Sequence, residues 1–146
     1  MFTKIEEIKS VRLQKSEIVN KEAKLTTPLL SNLNLIDSLY RWFNEASAKR
    51  NCPARQGSVI QRKKFLFIIL YLYSPATLAG GKMTIGLRDK LANVLDLHSR
   101  SAISDNCADI VFLYNRYKDF REDVTIIYHL LIQQLDTNGL SIDPAA

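Results

Sequence analysis

Apolar residues recur at helical spacing in every long segment of this 146-residue chain. Ile5, Ile8, Leu13 and Ile18 are spread through a Lys- and Glu-rich background. That pattern predicts a loosely packed N-terminal helix within residues 1–28. "TTPLL" interrupts it, because Pro28 disfavours helix in the residue before it. Residues 31–48 resume the spacing: Ile36, Tyr40 and Phe43 line one face, and Leu39 and Trp42 widen it. "KRNCPARQGS", residues 49–58, reads as a loop with Pro53 and Gly57. Ser58 is placed to cap a helix that runs to Tyr73 and stops at Ser74-Pro75.

The end of that third segment, "FLFIILYLY" at 65–73, is apolar on every side. A buried strand has the same composition. The helical pattern already starts at Val59 and Ile60, however, and no second strand candidate exists to pair with it. The segment is therefore expected to be a central helix. A connector follows at 74–86, where Gly80-Gly81 permits positive φ. Further helices are expected at 86–96, 100–118 and 119–136, then a flexible polar tail at 137–146. The expected fold is all-α, with five or six helices and residues 29–136 in one compact domain.

The segment "LRDKLANVLDLHSRSAISDNCADIVFLY", residues 87–114, is the most informative. Leu87, Leu91 and Leu95 repeat every four residues and mark a short amphipathic helix. "DLHS" breaks it, and Ser99 or Ser101 can cap the next. There Ile103, Cys107, Ile110, Tyr114 and Tyr117 form one stripe, with Ile103, Ile110 and Tyr114 expected in the core. The other side near the start shows Ser101, Ser104, Asp105 and Ala108. Short polar residues at the start of a helix can approach base edges in a major groove. An ordinary structural hairpin produces the same pattern.

Charge sharpens this reading. The net charge is +5, with seven Lys/Arg against one Asp/Glu in residues 41–64 and one against five in 119–146. A basic centre suits an anionic partner such as DNA or RNA, although a solvated linker is the bland alternative. The two cysteines, Cys52 and Cys107, form no spaced motif, so a reducing compartment is expected. The N-terminal segment shows no signal-peptide pattern. Nine apolar residues are too few to cross a bilayer, which needs about 20.

No catalytic constellation is visible, and the chain is expected not to be an enzyme and to need no cofactor. His98 and His129 stand outside any metal-ligand spacing, so no metal site is expected. Cys107 reads as a small buried hydrophobe. "GGKMT" has the Gly-Lys of a phosphate-binding loop, but Ala76 stands at the first glycine position and Met83 at the hydroxyl position.

The stretch "LANVLDLHSRSAIS" resembles the helix-turn-helix pattern LAxxLGLSxxTIS, with Ala92, Leu97 and Ile103 at its packing positions. Asp96 stands where that family favours glycine, and the segment between Leu97 and Ile103 is one residue longer. Residues 62–128 as a whole are similar to small uncharacterised proteins of Bacteroidetes phages, prophages and mobile elements. The resemblances imply a helix-turn-helix-like hairpin at about 86–118 and a DNA-binding role in transcription, replication or packaging. Arg100, Ser101 and Ser104 would then face bases, and Arg55, Arg62, Lys63 and Lys64 would bind phosphates. The alternative is a virion or assembly component, such as an oligomeric helical head-tail adaptor. Expected partners are duplex DNA and a second copy of the chain, or phage structural proteins in the alternative, with no membrane. The expected location is the host bacterial cytoplasm, or the virion in the alternative.

Overall fold

Helix α3, Val59–Tyr73, is the element against which α2 (Ile36–Lys49), α4 (Pro75–Leu78), α6 (Arg100–Cys107), α7 (Ile110–Arg116) and α8 (Lys118–Thr137) pack. Ser58 caps it as expected, its Oγ accepting from the Gln61 N–H at 3.3 Å. Nine of its residues are buried, and they point in all directions around the axis. It ends at Ser74, which leaves helical geometry at φ −154°, ψ 61°, and Pro75 opens the single turn α4, Pro75–Leu78. The computed structural model describes residues 1–50, 58–140 and 142. The expected loop at 51–57, with Cys52 and Arg55, lies outside the described residues.

Helix α1, Thr3–Leu25, precedes a short extended stretch. Leu29 and Leu30 both donate their N–H groups to the Leu72 carbonyl, at 2.9 and 3.0 Å. Those bonds satisfy an acceptor in the last turn of α3, where no helical donor remains. A 3-10 turn, Leu33–Leu35, leads into α2, Ile36–Lys49, which buries Ile36, Leu39, Phe43 and Ala46 at i, i+3 and i+4 steps. After α4 come α5, Leu87–Val94, α6, Arg100–Cys107, α7, Ile110–Arg116, and α8, Lys118–Thr137. Helix α8 packs on α2, α3 and α7 through Phe120, Val124, Ile127, Leu131 and Leu135.

The fold is all-α, with no strand among the described residues. Among the described residues it has seven helices of seven or more residues besides the one-turn α4, more than the five or six expected. The extra helix arises because the expected helix 100–118 is broken between Cys107 and Ile110. Asp105, Asn106 and Asp109 are weak helix formers whose side chains compete for the backbone. Asn106 donates back to the Ala102 carbonyl at 2.6 Å. Asp109 leaves helical geometry at φ −117°, ψ 5°, and its carboxylate accepts from Lys63 at 2.8 Å. The stripe survives the break in part. Ile103 and Ile110 are buried, Tyr114 is half-buried and stacked on Phe67 at 4.6 Å, and Tyr117 is exposed.

The connector at 74–86 turns back at Gly80 with φ +90°. A Cβ at Gly81 would sit 2.9 Å from the Ala76 carbonyl oxygen, so this glycine permits a close backbone approach. The glycines of "GGKMT" thus build a turn after a helix, whereas a phosphate-binding loop follows a strand. At the other end, α8 closes on Gly139 at φ +73°, and the Leu140 N–H donates to Leu135 at 2.8 Å. Ile142 packs on the core, so the start of the expected flexible tail is docked. Among the described residues, no helix is long and apolar enough to cross a membrane.

One polar cluster lies inside this apolar packing. Asp123 of α8 accepts from Lys64 Nζ at 2.7 Å and from Arg50 Nε at 2.5 Å, and Lys64 and Asp123 are both buried. The cluster fastens the end of α2, the start of α3 and the first half of α8 to one another. Asp123→Ala would leave a buried cation without its main counter-charge, and should cost about 3–5 kcal/mol in denaturant unfolding. A loss below about 1 kcal/mol would show that the cluster contributes little.

Candidate functional site

The α5–α6 hairpin is built around a tight reversal at Asp96. Leu95 ends α5, and Asp96 takes a left-handed conformation at φ +54°. It is the one non-glycine residue at positive φ among those described. The Asp96 N–H donates to Asn93 at 3.2 Å, and the Leu97 N–H to Ala92 at 2.8 Å. These two crossed bonds make a Schellman cap, the ending that glycine normally permits. The position where helix-turn-helix chains favour glycine therefore has glycine-like geometry here, held by an aspartate.

Ser99 caps the next helix, its Oγ accepting from the Ala102 N–H at 3.3 Å and sharing a 2.9 Å hydrogen bond with Ser101. Ile103 is fully buried and Leu97 packs on the core, so the hairpin is anchored at both its turn and its second helix. Helix α5 packs on α2 and α6, and α6 packs on α3. The Lys90–Asp37 ion pair adds a link from α5 to α2. The opposite side of α6 is open. Arg100, Ser101, Ser104 and Asp105 are all exposed. Arg100 pairs with Asp89 of α5 at 3.0 Å, and both side chains are about two-thirds exposed, at 68% and 65%. Exposed pairs of this kind are worth about 0–1 kcal/mol, so Arg100 can exchange Asp89 for another anion at little cost.

No family model, no curated protein and no solved structure matches the chain.

The three residues expected to face bases thus lie together, on one exposed turn. The four expected to bind phosphates do not form a group. Arg55 lies outside the described residues. Lys64, expected to bind a phosphate, is instead buried against Asp123, and a lysine enclosed by protein cannot reach one. Lys63 is only 19% exposed at its side chain and already serves Asp109. Arg62 is half-buried, and no described carboxylate pairs with it. Lys63 also sits beyond the far end of α6 from Arg100, about 12 Å along an eight-residue helix.

Phe112, on the side of α7 opposite the buried stripe, is 60% exposed and meets Tyr117 edge-on at 6.4 Å. This face of α7 is therefore open. No three His, Cys, Asp or Glu among the described residues are grouped to hold a metal. Cys107 is partly buried, and burial pushes its thiol up to about 11, while the Arg88 charge acts in the opposite direction. It is a protonated thiol at neutral pH, as a small core hydrophobe should be.

Two outcomes test this geometry. Asp96→Gly removes the strain of a left-handed L-residue and should stabilise the protein by roughly 0.5–1 kcal/mol, with a Tm about 2–4 °C higher. A lower Tm would mean that the aspartate side chain contributes something that outweighs its backbone strain. The raised thiol of Cys107 favours the folded state while it stays protonated. That contribution is full below pH 9 and lost as pH rises toward 11. In a Cys52→Ser background, alkylation of Cys107 should be slow at pH 8, and stability should fall across pH 9–11 more than in Cys107→Ala.

Proposed function

We propose that this chain binds duplex DNA through the α5–α6 hairpin, with the first turn of α6 in the major groove. The observation that carries the reading is the Asp96 Schellman turn joined to an exposed α6 start. One face of α6 is anchored by Ile103 while Arg100, Ser101 and Ser104 stand in solvent. Side chains of this size and chemistry reach base edges: an arginine can bond guanine bidentately, and serine hydroxyls can donate or accept. Arg62 remains available for a backbone phosphate, and Lys63 can reach one by leaving Asp109. The role fits a phage or mobile-element protein acting in transcription, replication or packaging.

Two carboxylates temper the interface and make it testable. Asp105 is exposed on α6 and Asp89 holds Arg100, so both would meet a phosphate-rich surface. In anisotropy titrations on duplex DNA, affinity should fall linearly with the logarithm of salt. Asp105→Asn and Asp89→Asn should each tighten non-specific binding. Arg100→Ala should relax preference at one base pair by roughly 1–3 kcal/mol. Arg62→Ala should weaken all sequences alike and lower the salt slope by about one. No DNA affinity at low salt would overturn the reading.

A second reading is favoured by α1, which has no buried residue. A long helix left bare suits a virion or assembly component, such as an oligomeric head-tail adaptor, whose partner surface completes the fold. Its mark would be a closed ring in solution.

A further inference from the structure

Helix α1 runs for 23 residues, about 35 Å, and none of its side chains is buried by any described residue. Ile5, Ile8, Val11, Ile18, Val19 and Leu25 are 46–70% exposed along it. Most helical stability in proteins comes from packing an apolar face, and this helix has no buried face among the described residues. We infer that α1 pairs with α1 of a second copy, in antiparallel orientation. The inference does not rest on DNA binding.

The sequence of α1 selects both the seam and the direction. Alternating steps of four and three from Lys4 place Lys4, Ile8, Val11, Lys15, Ile18 and Glu22 on one line, the spacing of a two-helix seam. A parallel, in-register pair would set Lys4, Lys15 and Glu22 each against its own copy, which gives three layers of like charge. An antiparallel pair centred on residue 13 removes all three clashes. Lys4 then meets Glu22 of the second copy, and Ile8 meets Ile18. Val11 meets Lys15, whose methylene stem can cover it while the ammonium reaches water. The flanks agree, since Glu7 faces Lys21 and Ile5 faces Val19 of the second copy. Every one of these contacts occurs twice by symmetry. The one unfavourable meeting is Arg12 with its own copy across the two-fold axis.

Sedimentation equilibrium of the full chain should therefore show a dimer. Lys4→Glu alone and Glu22→Lys alone each create two like-charge layers and should raise the dimer Kd by about tenfold or more. The double variant, K4E with E22K, should restore the wild-type Kd, because it only exchanges the partners' signs. That rescue is specific to antiparallel pairing, since in a parallel pair these layers hold like charges in all four proteins. Arg12→Ala should tighten the dimer. These residues lie on a helix without buried side chains, so circular dichroism should show all variants folded. A monomeric wild type at high micromolar concentration overturns the inference. So do single reversals without effect, a double variant that fails to recover, or a ring larger than two. DNA titration of the same variants reads the hairpin separately: loss of dimer with retained low-salt DNA affinity leaves the DNA reading standing, and the converse leaves the dimer standing.

Discussion

A helix whose apolar residues run all round its axis must be largely enclosed, and α3 is such a helix, with only Val59, Ile60 and Tyr71 exposed. Its apolar run, Phe65 to Tyr73, obliges α2, α6, α7 and α8 to pack around it. The enclosure extends back to the charged first half, because Gln61, Lys64, Phe65, Ile68 and Leu72 share one face at steps of three and four. Lys64 is thereby drawn inside with its neighbours. Asp123 occupies the matching place on α8, between Phe120 and Ile127, and takes up the charge. Arg50 closes the cluster from the end of α2. The value of such a cluster lies in register: α8 cannot slide along α3 by one turn without stranding both charges.

That enclosure changes what the basic centre means. Counted along the chain, residues 41–64 carry an excess of six positive charges. In the fold, Arg50 and Lys64 share one carboxylate and Lys63 meets another. Half of the apparent excess is thus spent on interactions within the protein. Charge counted by segment is a statement about sequence neighbours, whereas an anion responds to neighbours in space.

The helical pattern made most elements legible. Ser58 to Tyr73, the arrest at Ser74-Pro75, and the face of α2 follow from spacing and capping alone. The break at Ala108–Asp109 was hidden because the apolar stripe continues through it, so periodicity saw one helix where the backbone makes two. Its signal was chemical: Asp105, Asn106 and Asp109 cluster in five residues. Of the candidate site, the exposed first turn of α6 was readable, since Ser101, Ser104 and Asp105 fall away from the buried Ile103 and Arg100 stands at the exposed start of the helix. That Lys63 and Lys64 are held within the protein was not, because it required knowing that Asp109 and Asp123 return to α3. Placing Lys64 and Asp123 on the apolar stripes of their own helices would have shown that each needed a buried partner.

The anchoring of α1 gives its exposure a consequence for the whole molecule. Thr27 Oγ1 donates to the Ala23 carbonyl at 2.7 Å, and the next residues but one, Leu29 and Leu30, are bonded to Leu72. Helix α1 is thus joined to the central helix by a short, hydrogen-bonded segment, unlike a helix on a long free linker. Whatever binds α1 is held near α3, and a symmetric partner would bring a second body into a defined relation with the first. In an antiparallel pair the two attachment points lie at opposite ends of a rod about 35 Å long. That span is of the same order as the roughly 34–36 Å between successive major-groove half-sites on one face of DNA. The bodies' own offsets add to the rod length, so a dimer that bound paired DNA sites would link its geometry to their spacing: lengthening α1 by one turn would then shift the preferred spacing, whereas a hairpin that acted alone would be indifferent to it.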